Sequence, residues 1–368
     1  MSAELLKLVS NISSAPKKVV VAMSGGVDSS TVAAILKHYG HEVIGVTLQL
    51  YDYGLTVGKK GACCAGQDIY DASQAAEKIG IPHYVLNYES IFKESVIDDF
   101  ADSYLRGETP IPCVRCNQKV KFKDLFKVAK DLGADCLATG HYVRRIDNNG
   151  SIELHQGAEM SKDQSYFLFA TTKEQLDFLR FPIGSLNKEQ TREIAKHFGL
   201  NVANKPDSQD ICFVPNGSYS AVIEKYRPGA LDPGNIIFKD GTPLGRHSGI
   251  INFTIGQRRG IGISSAEPLY VTKINPETNE VIVGYKEDLE SLTLTIKEVN
   301  WLINPTETLE CQVKLRSAHK PIDAEICVIE NDMVKVTLAQ SYSGITPGQA
   351  CVMYDGSRVL GGGWIIRC

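Results

Sequence analysis

One stretch near the amino terminus constrains the fold more than any other: an apolar run that leads through two glycines into hydroxyl side chains. Residues 19–22 read Val-Val-Val-Ala, and residues 23–30 read Met-Ser-Gly-Gly-Val-Asp-Ser-Ser. Adjacent glycines let a backbone approach an anion closely, and the helix expected to begin near Ser29 points its positive dipole end at the same place. This order of strand, glycine turn and helix predicts a cradle for the phosphates of a nucleotide.

The spacing within this cradle limits the chemistry that it favours. It lacks the Gly-x-x-x-x-Gly-Lys-Ser/Thr pattern, so transfer of a terminal phosphate is not the natural interpretation. The alternative is a glycine turn that joins a strand to a helix and binds nothing. The complete pattern after an apolar strand favours nucleotide binding over that alternative.

Composition limits the class of protein. A chain of 368 residues exceeds one ordinary core and predicts two or three domains. Its net charge of −4 argues against a surface covered with phosphate-binding cations, although a local basic face for a nucleic acid stays open. No apolar run reaches the roughly 18 residues that span a bilayer, and the amino terminus lacks the layout of a secretion signal. We therefore expect a cytoplasmic protein without membrane contact.

From about residue 18 to residue 145, apolar strand patterns alternate with helical patterns, which is typical of an α/β fold with a parallel sheet. The predicted strands are residues 19–23, 43–48, 83–86 and 136–139. The cradle then lies at the carboxyl edge of the sheet, where open α/β sheets bind ligands. Leu48 and Gly140, at the ends of the second and fourth strands, should line the same crevice.

The rest of the chain divides into smaller modules. Helical patterns at residues 172–179 and 188–198 continue the first domain, and a boundary is expected near residues 207–214. Pro-Gly and Asp-Gly turns then punctuate short strands, which predicts a β-rich middle module. Alternating runs predict a compact C-terminal β-barrel, with strands at residues 292–299, 309–315, 324–329, 333–338 and 350–354. The expected domains are residues 1–210, 211–285 and 286–368.

Ten cysteines in a cytosolic chain do not suggest a disulfide framework, so their positions decide their roles. Cys113 and Cys116 have the Cys-x-x-Cys spacing of a metal or redox site, and the neighbouring Arg115 would favour the Cys116 thiolate. A structural zinc site is an alternative, but it normally takes a second pair, and the sequence has no second Cys-x-x-Cys motif. Cys212, between Ile211 and Phe213, fits either a reactive thiol or a buried strand residue.

Resemblance to known families adds to these patterns. Ser-Gly-Gly-x-Asp-Ser resembles the PP-loop of ATP pyrophosphatases, which cleave ATP at the α-phosphorus. Further motifs occur in one order along nearly the whole chain, at residues 113–122, 138–142, 161–166, 207–214, 253–260, 346–349 and 361–363. Together they resemble the bacterial tRNA-specific 2-thiouridylases, which replace the C2 oxygen of the wobble uridine of certain tRNAs with sulfur.

The resemblance implies a fold and an ATP site. The fold would be an N-terminal PP-loop ATP pyrophosphatase domain of the adenine nucleotide alpha hydrolase-like kind, a small β-rich central domain and a C-terminal β-barrel. ATP, with magnesium, would adenylate the uridine oxygen at position 34 and release pyrophosphate, with Asp28 as the hypothesised magnesium ligand. The positions that match the family's ATP contacts are Ala22, Met23, Ser24, Gly25, Gly26, Val27, Asp28, Ser29, Leu48 and Gly140.

The resemblance also implies roles for two cysteines. Cys212 matches the cysteine that carries a persulfide, and Cys116 matches the nucleophile. The terminal persulfide sulfur would attack the activated C2 carbon and AMP would leave. Cys116 would then release the transferred sulfur by closing a Cys116–Cys212 disulfide that a reductant reopens. A cysteine desulfurase or a sulfur relay protein would supply the sulfur.

A tRNA substrate suits this chemistry, because the wobble base lies in the single-stranded anticodon loop and can be flipped into a pocket. By themselves, His141 also fits a structural residue at a strand end, and residues 162–164 an ordinary polar loop. Arg258 and Arg259 fit either phosphate contacts or a solvated face. The positions that match the family's tRNA contacts are Ile111, Pro112, Cys113, His141, Lys162, Asp163, Gln164, Arg316, Ser317 and Gln349.

Cys113 departs from the pattern of the family, because many members carry Asp at that position. A general acid/base carboxylate is therefore missing, and Cys113, Cys116 and Cys212 form a three-thiolate set. This set resembles the iron–sulfur ligands of related PP-loop thiolases, so a cluster-dependent version of the same reaction is an alternative. Two other classes stay open: a PP-loop ligase that adds nitrogen, which needs no reactive cysteine pair, and a non-catalytic RNA-binding adaptor, which would release no pyrophosphate.

Overall fold

The computed structural model describes residues 2–10, 12, 15, 17–51, 64–207, 211–214, 218–329 and 332–366. The chain divides into two compact units, each built from separate stretches of sequence. Unit 1 consists of Met1–Ser95, Arg115–Gln209 and Ser357–Val359, and unit 2 consists of Val96–Val114, Asp210–Gly356 and Leu360–Cys368.

The helices are α1 Ser2–Leu6, α2 Val27–His38, α3 Cys64–Ile79, α4 Glu89–Phe92, α5 Asp98–Leu105, α6 Pro112–Arg115, α7 Asp124–Asp131, α8 Lys173–Phe178, α9 Lys188–His197 and α10 Tyr219–Tyr226. Lys93–Ile97 and Cys116–Lys121 form π-helical turns, and Ser165–Leu168, Asn201–Asn204, Ile250–Asn252 and Lys286–Leu289 form 3₁₀ turns. In the described part of the chain, none of the helices is long and apolar enough to cross a membrane.

The strands are β1 Lys18–Ala22, β2 Glu42–Gln49, β3 His83–Asn87, β4 Cys136–Ala138, β5 Val143–Asn148, β6 Ser151–Gln156, β7 Leu179–Arg180, β8 Gly234–Phe238 and β9 Pro243–His247. They continue with β10 Tyr270–Asn275, β11 Glu280–Gly284, β12 Glu290–Trp301, β13 Thr308–Lys314, β14 Ile322–Val328, β15 Val334–Ser343, β16 Ala350–Asp355 and β17 Arg358–Ile365.

Unit 1 is centred on a parallel sheet with the strand order β3-β2-β1-β4-β7. Strand β1 lies in the middle because Val19, Val20 and Val21 are all buried, as expected of a strand covered on both faces. The register aligns Ala22 with Val46 of β2, so the ends of these strands lie side by side. The four strands predicted from the sequence are confirmed as β1 to β4, with ends shifted by one residue.

Helices α2 and α9 pack together in unit 1 through a small apolar cluster that includes Ala34 and Ala195. The start of α9 is fixed by a capping box, in which the Asn187 side chain accepts from the Gln190 N–H and the Gln190 side chain accepts from the Asn187 N–H, both at 2.8 Å. Residue 188 is therefore held at the first position of α9.

Unit 2 contains two β structures. Strands β10, β11, β8 and β9 form a four-stranded sheet in that order. Strands β12, β15, β14, β13, β16 and β17 form a barrel, which β12 and β17 close by pairing Ile296 with Ile365 and Asn300 with Gly362. Its interior is filled by buried side chains such as Leu294, Val336 and Met353. The predicted C-terminal barrel is thus confirmed, with β17 as a strand that was not predicted.

Candidate active site

The loop between β1 and α2 lies tightly against the backbone of α3. Gly25 has a φ of +71°, and a Cβ there would lie 2.0 Å from the Asp68 carbonyl oxygen, so both the conformation and the space require glycine. The Ser24 N–H donates to Ser29 Oγ at 3.1 Å and closes the loop over the start of α2. The shape of the cradle is therefore fixed by its own residues.

Helix α2 begins at Val27, not near Ser29, so the expected start was two residues too late. Its N-cap is Gly26, which offers no side-chain oxygen to the first-turn N–H groups. Helix geometry leaves these N–H groups without an acceptor inside the helix. Together with the helix dipole, they fit a bound phosphate, so the cradle suits the polyphosphate of ATP.

Strand pairing brings the remaining predicted ATP contacts to the same edge of unit 1. Leu48 lies two residues beyond Val46 in β2, and Gly140 follows β4, which pairs with β1. A Cβ on Gly140 would lie 2.8 Å from the Ser29 nitrogen, so the two backbones touch. The predicted residues therefore surround one loop, and their binding of ATP stays a prediction.

A charged network that was not predicted lies beside the cradle. Lys188 Nζ lies 2.8 and 2.9 Å from the two carboxylate oxygens of Asp28 and 2.7 Å from Asp207 Oδ1. Asp207 also accepts from Lys162 Nζ at 2.8 Å and from the Arg192 guanidinium at 3.0 Å. Although burial opposes ionisation, the contacts with Lys162 and Lys188 lower the pKa of Asp207 to about 2. Three cations thus face two carboxylates.

Asp28 has a further partner, the buried Tyr142. The Tyr142 hydroxyl donates to Asp28 Oδ1 at 2.8 Å and lies 3.0 Å from Thr191 Oγ1. Burial, and then the Asp28 charge, raise the pKa of Tyr142, so its hydroxyl keeps the proton that it donates. Both Asp28 oxygens are therefore engaged within the protein, and a magnesium ion would compete with Lys188 for them. Magnesium binding by Asp28 stays a prediction.

Lys205 is a second lysine at the glycine loop. Its Nζ donates to the Gly25 carbonyl at 3.0 Å, to Asp68 Oδ1 at 2.8 Å and to the Asp71 carboxylate. Although burial opposes it, the hydrogen bonds to Asp68 and Asp71 raise the pKa of Lys205. This ammonium therefore holds the Gly25 peptide in place rather than standing open to a ligand.

Cys116 lies in unit 1, at the start of the π-helical turn that follows α6. It is only 7% exposed, and the adjacent Asn117 is also buried and donates to the Phe167 carbonyl at 3.2 Å. Short π-helical turns are frequent at functional sites. The backbone position of Cys116 is therefore well fixed. The expected effect of Arg115 on the Cys116 thiolate stays a prediction.

Cys113 and Cys212 belong to unit 2, and both are exposed. Cys212 lies in a turn, and the next residue, Phe213, is buried and meets Phe100 of α5 edge to face with ring centroids 5.3 Å apart. The alternative of a buried strand residue at position 212 is therefore wrong. Exposure leaves the Cys212 thiol accessible to a reactant, and its reactivity stays a prediction.

Helices α5 and α10 support this part of unit 2. Arg227 donates to Asp98 at 2.8 Å and to Asp102 at 2.7 Å, and Tyr104 stacks on Tyr219 with centroids 6.5 Å apart. Because α5 belongs to the stretch that carries Cys113, these contacts connect that stretch to the one that follows Cys212.

His141, a predicted tRNA contact in unit 1, is a neutral side chain. Its Nδ1 lies 2.9 Å from Thr139 Oγ1, and its ring meets Phe122. Burial, with the Lys121 charge as a smaller cause, lowers the pKa of His141 to about 3. The ring can therefore take part in hydrogen bonds to a ligand without carrying charge.

Residues 162–164, also predicted tRNA contacts in unit 1, fix the conformation of their loop through hydrogen bonds and an ion pair. Asp163 accepts from the Gly157 N–H at 3.0 Å and from the Ser165 hydroxyl at 2.8 Å. Gln164 accepts from the Tyr142 N–H at 2.9 Å, and Lys162 pairs with Asp207. These contacts place the loop beside His141, and a role in RNA binding stays a prediction.

The remaining predicted tRNA contacts all lie in unit 2, where hydrogen bonds bring two of their segments together. Gln349 donates to the Thr109 carbonyl at 2.9 Å, and the Thr109 N–H donates to the Pro347 carbonyl at 2.8 Å. The Arg316 guanidinium donates to Thr346 Oγ1 at 3.0 Å. The members of this group are Ile111, Pro112, Cys113, Arg316, Ser317 and Gln349.

Among the described residues, the structure does not show a metal site at the three predicted cluster ligands, Cys113, Cys116 and Cys212. Within the described ranges, no group of three or more His, Cys, Asp or Glu side chains is placed to hold a metal ion. Cys113 and Cys212 belong to unit 2 and Cys116 to unit 1, so an iron–sulfur cluster on these residues stays a prediction.

The parallel sheet, its glycine cradle and the two β-rich modules define a class of protein: a nucleotide-binding domain joined to a small β-sheet domain and a C-terminal barrel. Family models agree with this class. Residues 17–216 match the "tRNA methyl transferase HUP domain", residues 220–285 the "tRNA methyl transferase PRC-barrel domain", and residues 291–365 the "Aminomethyltransferase beta-barrel domain". The predicted α/β fold class with a β-rich central domain is confirmed.

Full-length relatives identify the particular family. A "tRNA-specific 2-thiouridylase MnmA" of Rickettsia felis is 60% identical over 97% of this chain and 99% of that protein. Its namesake in Rhodospirillum centenum is 60% identical over 95% of this chain and 92% of that protein. The structure "Crystal structure of a 4-thiouridine synthetase - RNA complex with bound ATP" is 16% identical over 54% of this chain and 45% of that chain; its TM-score of 0.34 is too low to carry an inference. The chain belongs to the tRNA-specific 2-thiouridylase family and is an enzyme.

Proposed function

We propose that this enzyme replaces the C2 oxygen of the uridine at position 34 of tRNA with sulfur, at the cost of ATP. The observation that carries the proposal is membership of the 2-thiouridylase family in a chain that keeps the glycine cradle, Cys116 and Cys212. The products are 2-thiouridine, AMP and pyrophosphate. Such a substrate places the reaction in the cytoplasm.

The first step is adenylation of the uridine. The C2 oxygen attacks the α-phosphorus, a new oxygen–phosphorus bond forms, and the bond to the β-phosphate oxygen breaks with release of pyrophosphate. The first-turn N–H groups of α2 stabilise the negative charge of the departing pyrophosphate. Adenylation matters because it converts a poor leaving oxygen into AMP.

The second step is sulfur transfer. The terminal sulfur of a Cys212 persulfide attacks C2, and AMP leaves. The Cys116 thiolate then attacks the inner sulfur of Cys212, the sulfur–sulfur bond breaks, and its electron pair stays on the sulfur now bonded to C2. A Cys116–Cys212 disulfide results, which a two-electron reductant reopens. A cysteine desulfurase or a sulfur relay protein reloads Cys212.

A cluster-dependent version of the transfer is the second candidate, because Cys113 occupies the position where many family members carry Asp. Cys113, Cys116 and Cys212 would hold the cluster, which would supply sulfide to the adenylated base. Protein purified under anaerobic conditions should then contain iron and sulfide and absorb in the visible range. Full activity in protein without iron or sulfide would rule out the cluster-dependent route, and the persulfide route would remain.

The primary test is an anaerobic thiolation assay with unmodified tRNA, ATP and a sulfur donor. Wild-type protein should produce 2-thiouridine and pyrophosphate, and Cys212→Ser should lose the thionucleoside, because no persulfide can form. Cys327→Ser, at a partly buried position in β14, is the matched control and should keep both products. Pyrophosphate without thiouridine from wild type would favour a different PP-loop ligase, and tRNA binding without pyrophosphate would favour the adaptor.

A further inference from the structure

Lys188 is a cation at the cradle to which the proposed reaction assigns no role. Its side chain is 13% exposed, and its ammonium lies within 2.9 Å of three carboxylate oxygens. An ammonium that is largely removed from water is stable only when it is paired, so Asp28 and Asp207 determine where it lies.

The local structure aims this side chain at the phosphate end of the cradle. The capping box of Asn187 and Gln190 fixes the first turn of α9, and Lys188 extends from that turn to Asp28. Asp28 lies in the first turn of α2, whose N–H groups form the predicted phosphate site. The ammonium therefore lies beside the place where the polyphosphate is expected.

The sharing of Asp207 among three cations lets Lys188 change partners. Lys162, Lys188 and Arg192 all contact Asp207, and the Lys188 ammonium also contacts Asp28. Lys162 and Arg192 each contact Asp207, so that carboxylate stays paired when Lys188 turns to another acceptor. Phosphate oxygens are strong acceptors for an ammonium and can take the place of a carboxylate oxygen.

We propose that Lys188 binds the β- and γ-phosphates of ATP and the pyrophosphate that leaves. Asp28 and Asp207 hold the ammonium at the cradle before ATP arrives, and phosphate oxygens then replace part of this carboxylate shell. The inference rests on the proposed ATP-dependent function and adds a binding residue to it.

The test compares the binding of three ligands by calorimetry in the absence of tRNA: magnesium-ATP, AMP and pyrophosphate. Lys188→Met should weaken ATP and pyrophosphate at least tenfold and leave AMP within twofold, because AMP lacks the phosphates that Lys188 contacts. Lys188→Arg should recover most of the loss. Lys196→Met is the matched control, since Lys196 is an exposed lysine of the same helix, and it should bind all three ligands as wild type does.

Each other outcome identifies what has failed. Equal weakening of ATP and AMP would overturn the inference, because a purely structural role moves both, and unchanged pyrophosphate binding would overturn it as well. Absence of ATP binding by wild type would instead overturn the proposed function. Lys188→Gln removes the positive charge but keeps a side-chain amide that can donate to Asp28, so it keeps the test available if Lys188→Met does not fold.

Discussion

At the scale of single residues, Gly25 determines the shape of the cradle by what it lacks. Its φ of +71° is costly for any other residue, and its missing Cβ lets the loop lie directly on the Asp68 backbone. The positive φ and the lack of space for a Cβ are separate requirements for glycine. Another position in the chain has only the positive φ. Gly133 has a φ of +70°, is exposed and has no heavy atom within 4 Å of the place of a Cβ.

Gly25→Ala should therefore lose ATP affinity by at least tenfold, because the loop must move away from Asp68. It should also lose more stability than Gly133→Ala, which carries only the conformational cost of about 1 kcal/mol. Urea unfolding measures the stability of both variants, and calorimetry measures their ATP affinity. A Gly25→Ala protein with wild-type ATP binding would contradict the described loop geometry.

His141 gives a pH-dependent prediction. Its folded-state pKa of about 3 lies below the unfolded value of about 6.5, so the unfolded chain binds the extra proton as the pH falls. The stability that neutral His141 contributes is present above pH 6.5 and is lost as the pH falls toward 3. His141→Gln should flatten the fall in unfolding free energy over this range, as measured by urea unfolding at several pH values.

At the scale of elements, two capping boxes allow a matched comparison. Asn187 caps α9 and Thr172 caps α8 by the same pair of hydrogen bonds. Asn187→Ala and Thr172→Ala should each cost about 1 kcal/mol of stability in urea unfolding. Only Asn187→Ala should also raise the KM for ATP, because only α9 carries Lys188. An equal effect of both variants on the KM for ATP would assign the change to general destabilisation.

The same scale explains what could be predicted from sequence. Strands β1 to β4 were predictable because buried parallel strands appear as unbroken apolar runs. The β5–β6 hairpin escaped because Arg144, Arg145 and Asp147 interrupt its pattern, and β17 escaped because three consecutive glycines weaken a strand signal.

The candidate site shows a similar division. The cradle is local, so its motif was sufficient to locate it. Lys188 lies 160 residues from Asp28 in the chain, and on sequence alone it is one more lysine on a polar helix. The packing of α9 against α2 brings the Lys188 ammonium to the cradle, and no local sequence pattern predicts that contact.

At the scale of the whole molecule, the described cysteines differ in the chemistry that their surroundings allow. Burial raises the pKa of the Cys136 and Cys351 thiols, and it raises the pKa of Cys311 to about 12. These three residues therefore carry little thiolate at neutral pH. Cys113 and Cys212 are exposed. Iodoacetamide at pH 7.5 should therefore alkylate Cys113 and Cys212 at least tenfold faster than Cys311 or Cys351, as followed by peptide mass spectrometry. Alkylation of Cys351 at the rate of Cys212 in folded protein would contradict this order.

The interrupted layout of the two units has a consequence for how the protein is made. Asp102 and its partner Arg227 are 125 residues apart, and both belong to unit 2. A ribosome adds roughly 5–20 residues per second, so Asp102 emerges on the order of 6–25 seconds before Arg227. During that interval α5 has no partner from α10 to cover Phe100 and Tyr104. The nascent chain therefore exposes these two aromatic side chains until α10 has been synthesised, and a chaperone can bind them during that interval.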